Sequence, residues 1–256
     1  MRLHHVSRWS KLIVLVAGVV GLAGLTMGTS YAADGAKVFF VQGLPGKNLD
    51  VAIDGKMVAK NVKTAAVVGP FTVKSGTRKV TFTDAGKVVL ERMFSVKPKS
   101  SWDVVVHLPA SSTGKPTVTV FRNDTSTVPK GKATLVVAHT AAVPPADIRV
   151  NNKVLFANIA NGESLKLTVP VATYKVAIVP TGETKPVLLG PISFTVQGGA
   201  LNRVYAVGDP AKKTMNVAVH VIATGSSGSA KPGQVNTGNG GQAVGQGPSL
   251  VVNLTR

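Results

Sequence analysis

Three histidines outside the N-terminal segment could act as bases or as metal ligands: His107, His139 and His220. No two of them have the close spacing of a zinc motif such as His-Glu-x-x-His, and the chain contains no cysteine. The sequence therefore predicts no metal site. His139 lies at the end of a valine-rich run, beside a proline-rich loop. We interpret it as a side chain that satisfies loop backbone groups, with a ligand or a base as the alternative.

The acidic residues give little support for catalysis. A glycosidase needs two carboxyl groups that face each other across a cleft, whereas most of the 11 Asp and Glu residues stand alone in turn-like segments. The sequence also lacks a Gly-x-Ser-x-Gly elbow and a phosphate-binding P-loop. We predict no catalytic residue and no cofactor. A hydrolase that acts on wall material, with a site near His139 and Asp147, remains the alternative.

The charge balance favours contact with anionic surfaces. The chain has 29 basic and 11 acidic residues, a net charge of +18. Residues 1–32 hold three of the basic residues and no acid, which leaves 26 against 11, or +15, for the rest. Phosphate polymers, acidic glycans and lipid headgroups would all suit this surplus. Solubility is the alternative explanation. Diffuse charge and few aromatic residues argue against nucleic acid.

The N-terminal segment has the pattern of a secretory signal peptide. A basic stretch, "MRLHHVSRWSK", precedes an apolar run of 16 residues, and Ser30 and Ala32 are the small residues of a cleavage site. We predict cleavage after Ala32, or one residue later. An uncleaved anchor is the alternative, but the run is shorter than the ~20 residues that span a bilayer. The mature chain is then secreted or associated with the cell envelope, without a transmembrane segment.

A repeat with a period of 97 residues indicates a duplicated domain. Residues 49–62, "LDVAIDGKMVAKNV", match residues 146–159, "ADIRVNNKVLFANI". Downstream, the offset drifts by a few residues, and "WDVVVHLP" (102–109) is aligned with "RVYAVGDP" (203–210), so that Trp102 corresponds to Arg203. The period is too long for a solenoid unit and fits a whole domain.

Each copy is predicted to be all-β. Short runs rich in Val, Ile, Thr and Phe alternate with Gly, Pro, Asn and Ser. Asp54-Gly55 and its counterpart Asn151-Asn152 predict two-residue hairpin turns with positive φ. About seven strands in some 90 residues indicate two tandem antiparallel β-sandwiches with an immunoglobulin-like arrangement. We predict Trp102 to be a core residue rather than an exposed sugar platform.

The predicted domain organisation follows from the composition along the chain. The signal peptide covers 1–32, the first sandwich 35–124 and the second 132–222. A polar, turn-rich segment, "NDTSTVPKGK" (123–132), lies at the boundary. Residues 223–256 are rich in Gly, Ser, Asn and Gln and are predicted to form a disordered, flexible tail.

Residues 133–155, "ATLVVAHTAAVPPADIRVNNKVL", resemble the domain of unknown function 4397 family. His139, Pro144, Pro145, Asp147, Ile148, Val150 and Lys153 fall on the family pattern. The resemblance extends over both repeats, roughly residues 36–222, and is weaker in the first, where Gln42 replaces His139. It implies a secreted or cell-envelope β-sandwich of bacterial, often actinobacterial, type, and implies no activity.

The sequence thus favours a non-enzymatic protein whose two sandwiches bind an anionic wall polymer or an envelope protein. The hydrolase with a site near His139 and Asp147 is one alternative. A structural spacer that presents the tail is the other.

Overall fold

The computed structural model describes residues 35–224 and 226–227, and all their regular elements are β-strands. The predicted signal peptide and most of the predicted tail lie outside these residues. No helix that is long and apolar enough to cross a membrane occurs in the described part of the chain.

The first repeat consists of eight strands. They are β1 (Ala36–Gln42), β2 (Leu49–Ile53), β3 (Lys56–Val62), β4 (Val67–Val73), β5 (Gly76–Asp84), β6 (Lys87–Val96), β7 (Ser101–His107) and β8 (Thr117–Asn123). A two-residue strand, β9 (Val128–Pro129), lies in the connection to the second repeat.

The second repeat also has eight strands. They are β10 (Lys132–Ala141), β11 (Ala146–Val150), β12 (Lys153–Ile159), β13 (Ser164–Pro170), β14 (Thr173–Pro180), β15 (Leu189–Thr195), β16 (Ala200–Gly208) and β17 (Asn216–Ala223). The short strand β18 (Ser226–Ser227) pairs with β9.

The two repeats have the same topology. In the first, the sheets have the orders β4-β1-β7-β8 and β3-β2-β5-β6, and in the second, β13-β10-β16-β17 and β12-β11-β14-β15. The pairs β1/β7 and β10/β16 are parallel, whereas the other pairs in these four sheets are antiparallel. This confirms the prediction of two tandem β-sandwiches.

Each sandwich has its own apolar core, which the alternation along the strands produces. In β1, Val38 and Phe40 face the core of the first sandwich and pack with Phe82 from the opposite sheet. In β10, Leu135 and Val137 do the same in the second sandwich, together with Ile148 of β11. Burial of one such side chain contributes about 1.5–3 kcal/mol.

A third apolar cluster joins the two sandwiches. Val41, Val105 and Phe121 of the first repeat pack with Tyr205 and Val207 of the second. Sheet β4-β1-β7-β8 therefore faces sheet β13-β10-β16-β17, and the described chain has four β layers. The central strands consequently bury both faces, and all nine residues of β16 are buried. Strands of this kind carry nearly continuous apolar runs.

The hairpin turns have the predicted backbone. Asp54 and Gly55 have φ values of 48° and 80°, and Asn151 and Asn152 have 50° and 65°. Asp54 Oδ1 accepts the Lys79 N–H at 2.8 Å, and Asn151 Oδ1 accepts the Lys175 N–H at 3.0 Å. Each turn is thus tied to the neighbouring strand in the same way.

The turn geometry predicts that the loss of stability on replacing Gly55 depends on which residue replaces it. Gly55→Val should lower the free energy of unfolding by about 1–2 kcal/mol, because a β-branched residue is strained at positive φ. Gly55→Asn should change it much less, since the second repeat has asparagine there. Urea unfolding of both variants measures the difference. Equal costs for valine and asparagine would contradict the turn assignment.

Candidate functional site

His139, the strongest sequence candidate for a base, is bonded to its own loop. It is 3% exposed. Its Nε2–H donates to the Pro144 carbonyl at 3.3 Å, and its Nδ1 accepts the Ala141 N–H at 3.4 Å. Burial lowers the pKa of His139 below its usual value. The equivalent Gln42 also bonds its loop, with Nε2 donating to the Leu44 carbonyl at 3.0 Å. The predicted role in satisfying loop backbone groups is confirmed.

The Asp147 carboxylate also forms hydrogen bonds with backbone groups. Its Oδ1 accepts the Asn158 N–H at 2.8 Å, and its Oδ2 accepts the Gly182 N–H at 3.0 Å. The equivalent Asp50 accepts the Asn61 N–H at 2.8 Å. The hydrolase alternative requires an open cleft at His139 and Asp147. Both side chains are buried and bonded to backbone, which contradicts that geometry.

His107 is buried and lies next to Leu108, close to a contact between the two repeats. Its Nδ1–H donates to the Leu108 carbonyl at 2.7 Å, so Nε2 accepts the Thr119 hydroxyl at 2.8 Å. Burial, with a smaller contribution from the neighbouring His139, lowers the pKa of His107 from 6.5 to about 4. Asn161 bridges the repeats nearby, donating to the Leu108 carbonyl at 3.2 Å and the Ala141 carbonyl at 2.6 Å. Among the described residues, no group of three or more His, Asp or Glu is arranged to hold a metal ion.

The sequence alignment of β7 with β16 was wrong by one residue. Trp102 pairs with Val38 in β1, and Asn202 pairs with Leu135 in β10. Because Val38 and Leu135 are 97 residues apart, Trp102 corresponds to Asn202, and Arg203 corresponds to Asp103. Trp102 packs against the core of the first sandwich, as predicted. The sequence alignment used an offset of 101 residues at β7, whereas the strand pairing gives an offset of 100.

The equivalent residues Asp103 and Arg203 form part of a buried cluster between the sandwiches. We call Asp103, Asn123, Arg203, Tyr205 and His220 the interdomain polar cluster. The Asp103 carboxylate is completely buried and accepts hydrogen bonds from Tyr205 Oη, from Asn123 Nδ2 at 2.7 Å and from His220 Nδ1 at 2.9 and 3.0 Å. Burial raises the pKa of Tyr205 well above 10, so the phenol keeps its proton.

Arg203 supplies the positive charge of the interdomain polar cluster. Its Nε lies 3.7 Å from Asp103 Oδ2 and donates to Asn123 Oδ1 at 3.1 Å. A terminal nitrogen donates to the Arg122 carbonyl at 2.8 Å. The guanidinium also lies 5.4 Å from the centre of the Phe121 ring, a favourable cation–π distance. The charge is therefore paired, hydrogen-bonded and shielded from water.

A basic depression lies beside the interdomain polar cluster, at the seam between the sandwiches. Two adjoining cavities of about 460 and 560 Å³ share a wall and form what we call the seam groove. The first repeat contributes Lys37, Lys99, Ser100, Ser101, Arg122 and Thr125, and the second contributes Ile222, Ala223 and Thr224. Asn123 lines the groove and also bonds Asp103 and Arg203.

The seam groove has an excess of available positive charge. Lys37, Lys99 and Arg122 are exposed, and none forms an ion pair with a carboxylate of the described residues. The one acid in the lining, Asp124, is paired with Lys166 at 2.8 Å. The Lys166 hydrogen bond lowers the pKa of Asp124 well below its usual range. The groove therefore favours an anionic ligand.

The buried ion pair predicts a large loss of stability when only one of its two side chains is removed. Arg203→Ala should lower the free energy of unfolding by about 3–5 kcal/mol, because the Asp103 charge stays buried without its cation. Replacing both residues, Asp103→Leu with Arg203→Met, should cost less than the sum of the two single changes. Lys166→Ala, which breaks the exposed pair with Asp124, should cost about 1 kcal/mol or less. Urea unfolding of the full chain tests this, and additive costs at 103 and 203 would contradict it.

The lowered pKa of His107 predicts a loss of stability in acid. Between pH 6.5 and about 4, the unfolded chain binds a proton at residue 107 that the folded protein does not. Stability from this residue is complete above pH 6.5 and falls as the pH is lowered, by about 2–3 kcal/mol at pH 4.5. His107→Gln should reduce the pH dependence of the unfolding free energy by that amount. Identical pH profiles for the two proteins would contradict this account.

The comparison with known proteins finds one family model that matches part of the chain. No curated protein matches the chain. The family model described as "Domain of unknown function (DUF4397)" matches residues 36–149, which include the whole first sandwich, β9, β10 and most of β11. Residues 36–149 are therefore similar to the DUF4397 family, the family that the sequence resembles.

Proposed function

We propose that this is a non-enzymatic secreted or cell-envelope protein that binds an anionic wall polymer in the seam groove. The observation that carries the proposal is the set of Lys37, Lys99 and Arg122, three exposed cations without acidic partners among the described residues. They border one groove, together with the hydroxyl of Thr125. Cations combined with hydroxyl donors suit phosphate, sulfate or carboxylate groups.

The groove favours a polymer over an envelope protein partner. Protein interfaces obtain most of their affinity from aromatic and arginine anchors in desolvated pockets. The seam groove is open and largely polar. Phe39 is the one aromatic residue of its described lining, and Arg122 is exposed rather than desolvated. A flexible polyanion can follow such a groove through charge alone. The surplus of +15 outside residues 1–32 would strengthen this attraction.

The environment of the candidate acids and bases supports a non-enzymatic role. His139 and Asp147 are bonded to backbone groups, and Asp103 has no exposed surface. A substrate cannot reach these groups in this arrangement. Secretion is supported by the signal-like pattern of residues 1–32.

Binding to isolated bacterial cell walls over a salt series tests the proposal. Walls treated with protease should still retain the purified chain at low salt and release it as the salt rises, because charge attraction is screened. The combined variant Lys37→Gln, Lys99→Gln, Arg122→Gln should lose at least about tenfold in affinity and show a weaker salt dependence.

A charge-matched variant separates the groove from net charge. Lys60, Lys87 and Lys185 are exposed and lie outside the lining of the seam groove. Changing these three to glutamine should alter affinity no more than about twofold. An equal loss in both variants would refute the groove as the site. Loss of retention after protease treatment would indicate an envelope protein partner instead, and no retention at any salt would favour the spacer alternative.

A further inference from the structure

The second sandwich has an apolar cavity beside the β11–β12 turn. Its volume is about 360 Å³. The apolar and aromatic lining consists of Leu135, Val150, Val154, Leu155, Val169 and Tyr174, and the polar lining of Asn151 and Lys153. These residues come from both sheets of the sandwich, so the cavity opens between the sheets.

The buried part of the cavity lining favours a ligand without polar groups. Leu135 and Val169 are each 2% exposed and belong to the core of the sandwich. A peptide strand inserted against them would leave backbone N–H and C=O groups without partners between the two sheets. A hydrocarbon chain has no such groups. It would extend the apolar core instead.

The polar groups at the cavity can bind a negatively charged group. Lys153 is exposed and has no acidic partner within the described residues, and the lining includes no carboxylate. Asn151 uses its side-chain oxygen to accept the Lys175 N–H. Its amide nitrogen can therefore still donate. A carboxylate at this position would gain one ion pair and one hydrogen-bond donor.

The first repeat has a depression of about 500 Å³ at the same position, but its lining is charged. Asp54 occupies the place of Asn151, and Arg78 occupies the place of Tyr174. Arg78 and Asp54 form an ion pair at 3.0 Å in the corresponding depression. The exchange of both residues in the second repeat removes this pair and leaves an apolar opening. The two repeats thus differ in chemistry at one shared location.

We propose that the cavity of the second sandwich binds a linear hydrocarbon chain that ends in a carboxylate, as in a fatty acid. The chain lies between the sheets against Leu135 and Val169, and the carboxylate lies at the mouth beside Lys153 and Asn151. This site is separate from the seam groove. Its ligand is a single amphiphilic molecule rather than a polymer.

Calorimetric titration of the full chain with laurate, below the micelle concentration of laurate, tests the proposal. We expect saturable binding of one laurate per chain. Dodecyltrimethylammonium, which has the same chain length and a positive head, should bind at least about tenfold more weakly. Absence of saturable laurate binding, or equal affinity for the cationic amphiphile, would overturn the proposal.

Variants at equivalent positions of the two repeats locate the site. Lys153→Glu should weaken laurate binding about tenfold, because it replaces attraction by repulsion at the mouth. Lys56→Glu makes the same charge change in the first repeat and should leave the affinity within about twofold. Tyr174→Glu places a negative charge at the opening, and should greatly reduce binding because it repels the carboxylate.

The outcomes at residues 56, 153 and 174 decide the assignment. Equal losses from Lys56→Glu and Lys153→Glu would show binding through general charge and refute the site. Unchanged affinity in both Lys153→Glu and Tyr174→Glu would refute it as well. The combined seam groove variant at residues 37, 99 and 122 should keep full laurate affinity. If it loses laurate binding, the amphiphile occupies the seam groove and the proposed cavity is wrong.

Discussion

The Asp103 carboxylate has no exposed surface, and its surroundings determine how the two sandwiches meet. Transfer of a charged group from water into such a place costs several kcal/mol unless partners compensate for it. Among the cluster residues that surround the Asp103 carboxylate, only Asn123 comes from the same repeat, whereas Arg203, Tyr205 and His220 come from the second. If the sandwiches slid or separated, they would leave a charge without its partners against an apolar face. The cluster therefore selects one arrangement of the two repeats.

The two repeats have stayed alike where the fold requires it and have diverged where they touch. Asp50 and Asp147 cap equivalent backbone groups, and the hairpin turns share one geometry. At the seam, by contrast, Asp103 faces its own counterpart, Arg203. Two identical copies would place like charges together in a buried site, which is strongly unfavourable. Opposite charges at equivalent positions allow a duplicated domain to pack against itself, and this packing adds Ile222, Ala223 and Thr224 to the wall of the seam groove.

The sequence predicted what depends on local pattern. Alternating apolar residues and the Asp54-Gly55 turn were sufficient to predict the strands and the β-sandwich class. The packing of the two sandwiches was not predicted, although the run Val104–Val106 is a signal of a strand buried on both faces. The seam groove could not be predicted from spacing, because Lys37, Lys99 and Arg122 come from separate strands and loops. Only the pairing of β1, β7 and β8 brings them to one edge.

We expect the buried seam to join the two sandwiches into one cooperative unit. Differential scanning calorimetry of the unmodified chain near neutral pH tests this most directly. We expect one transition in which the calorimetric enthalpy equals the van't Hoff enthalpy for both sandwiches together. Two separate transitions, each with the enthalpy of about 90 residues, would contradict the claim, because the seam would then contribute too little to couple the repeats.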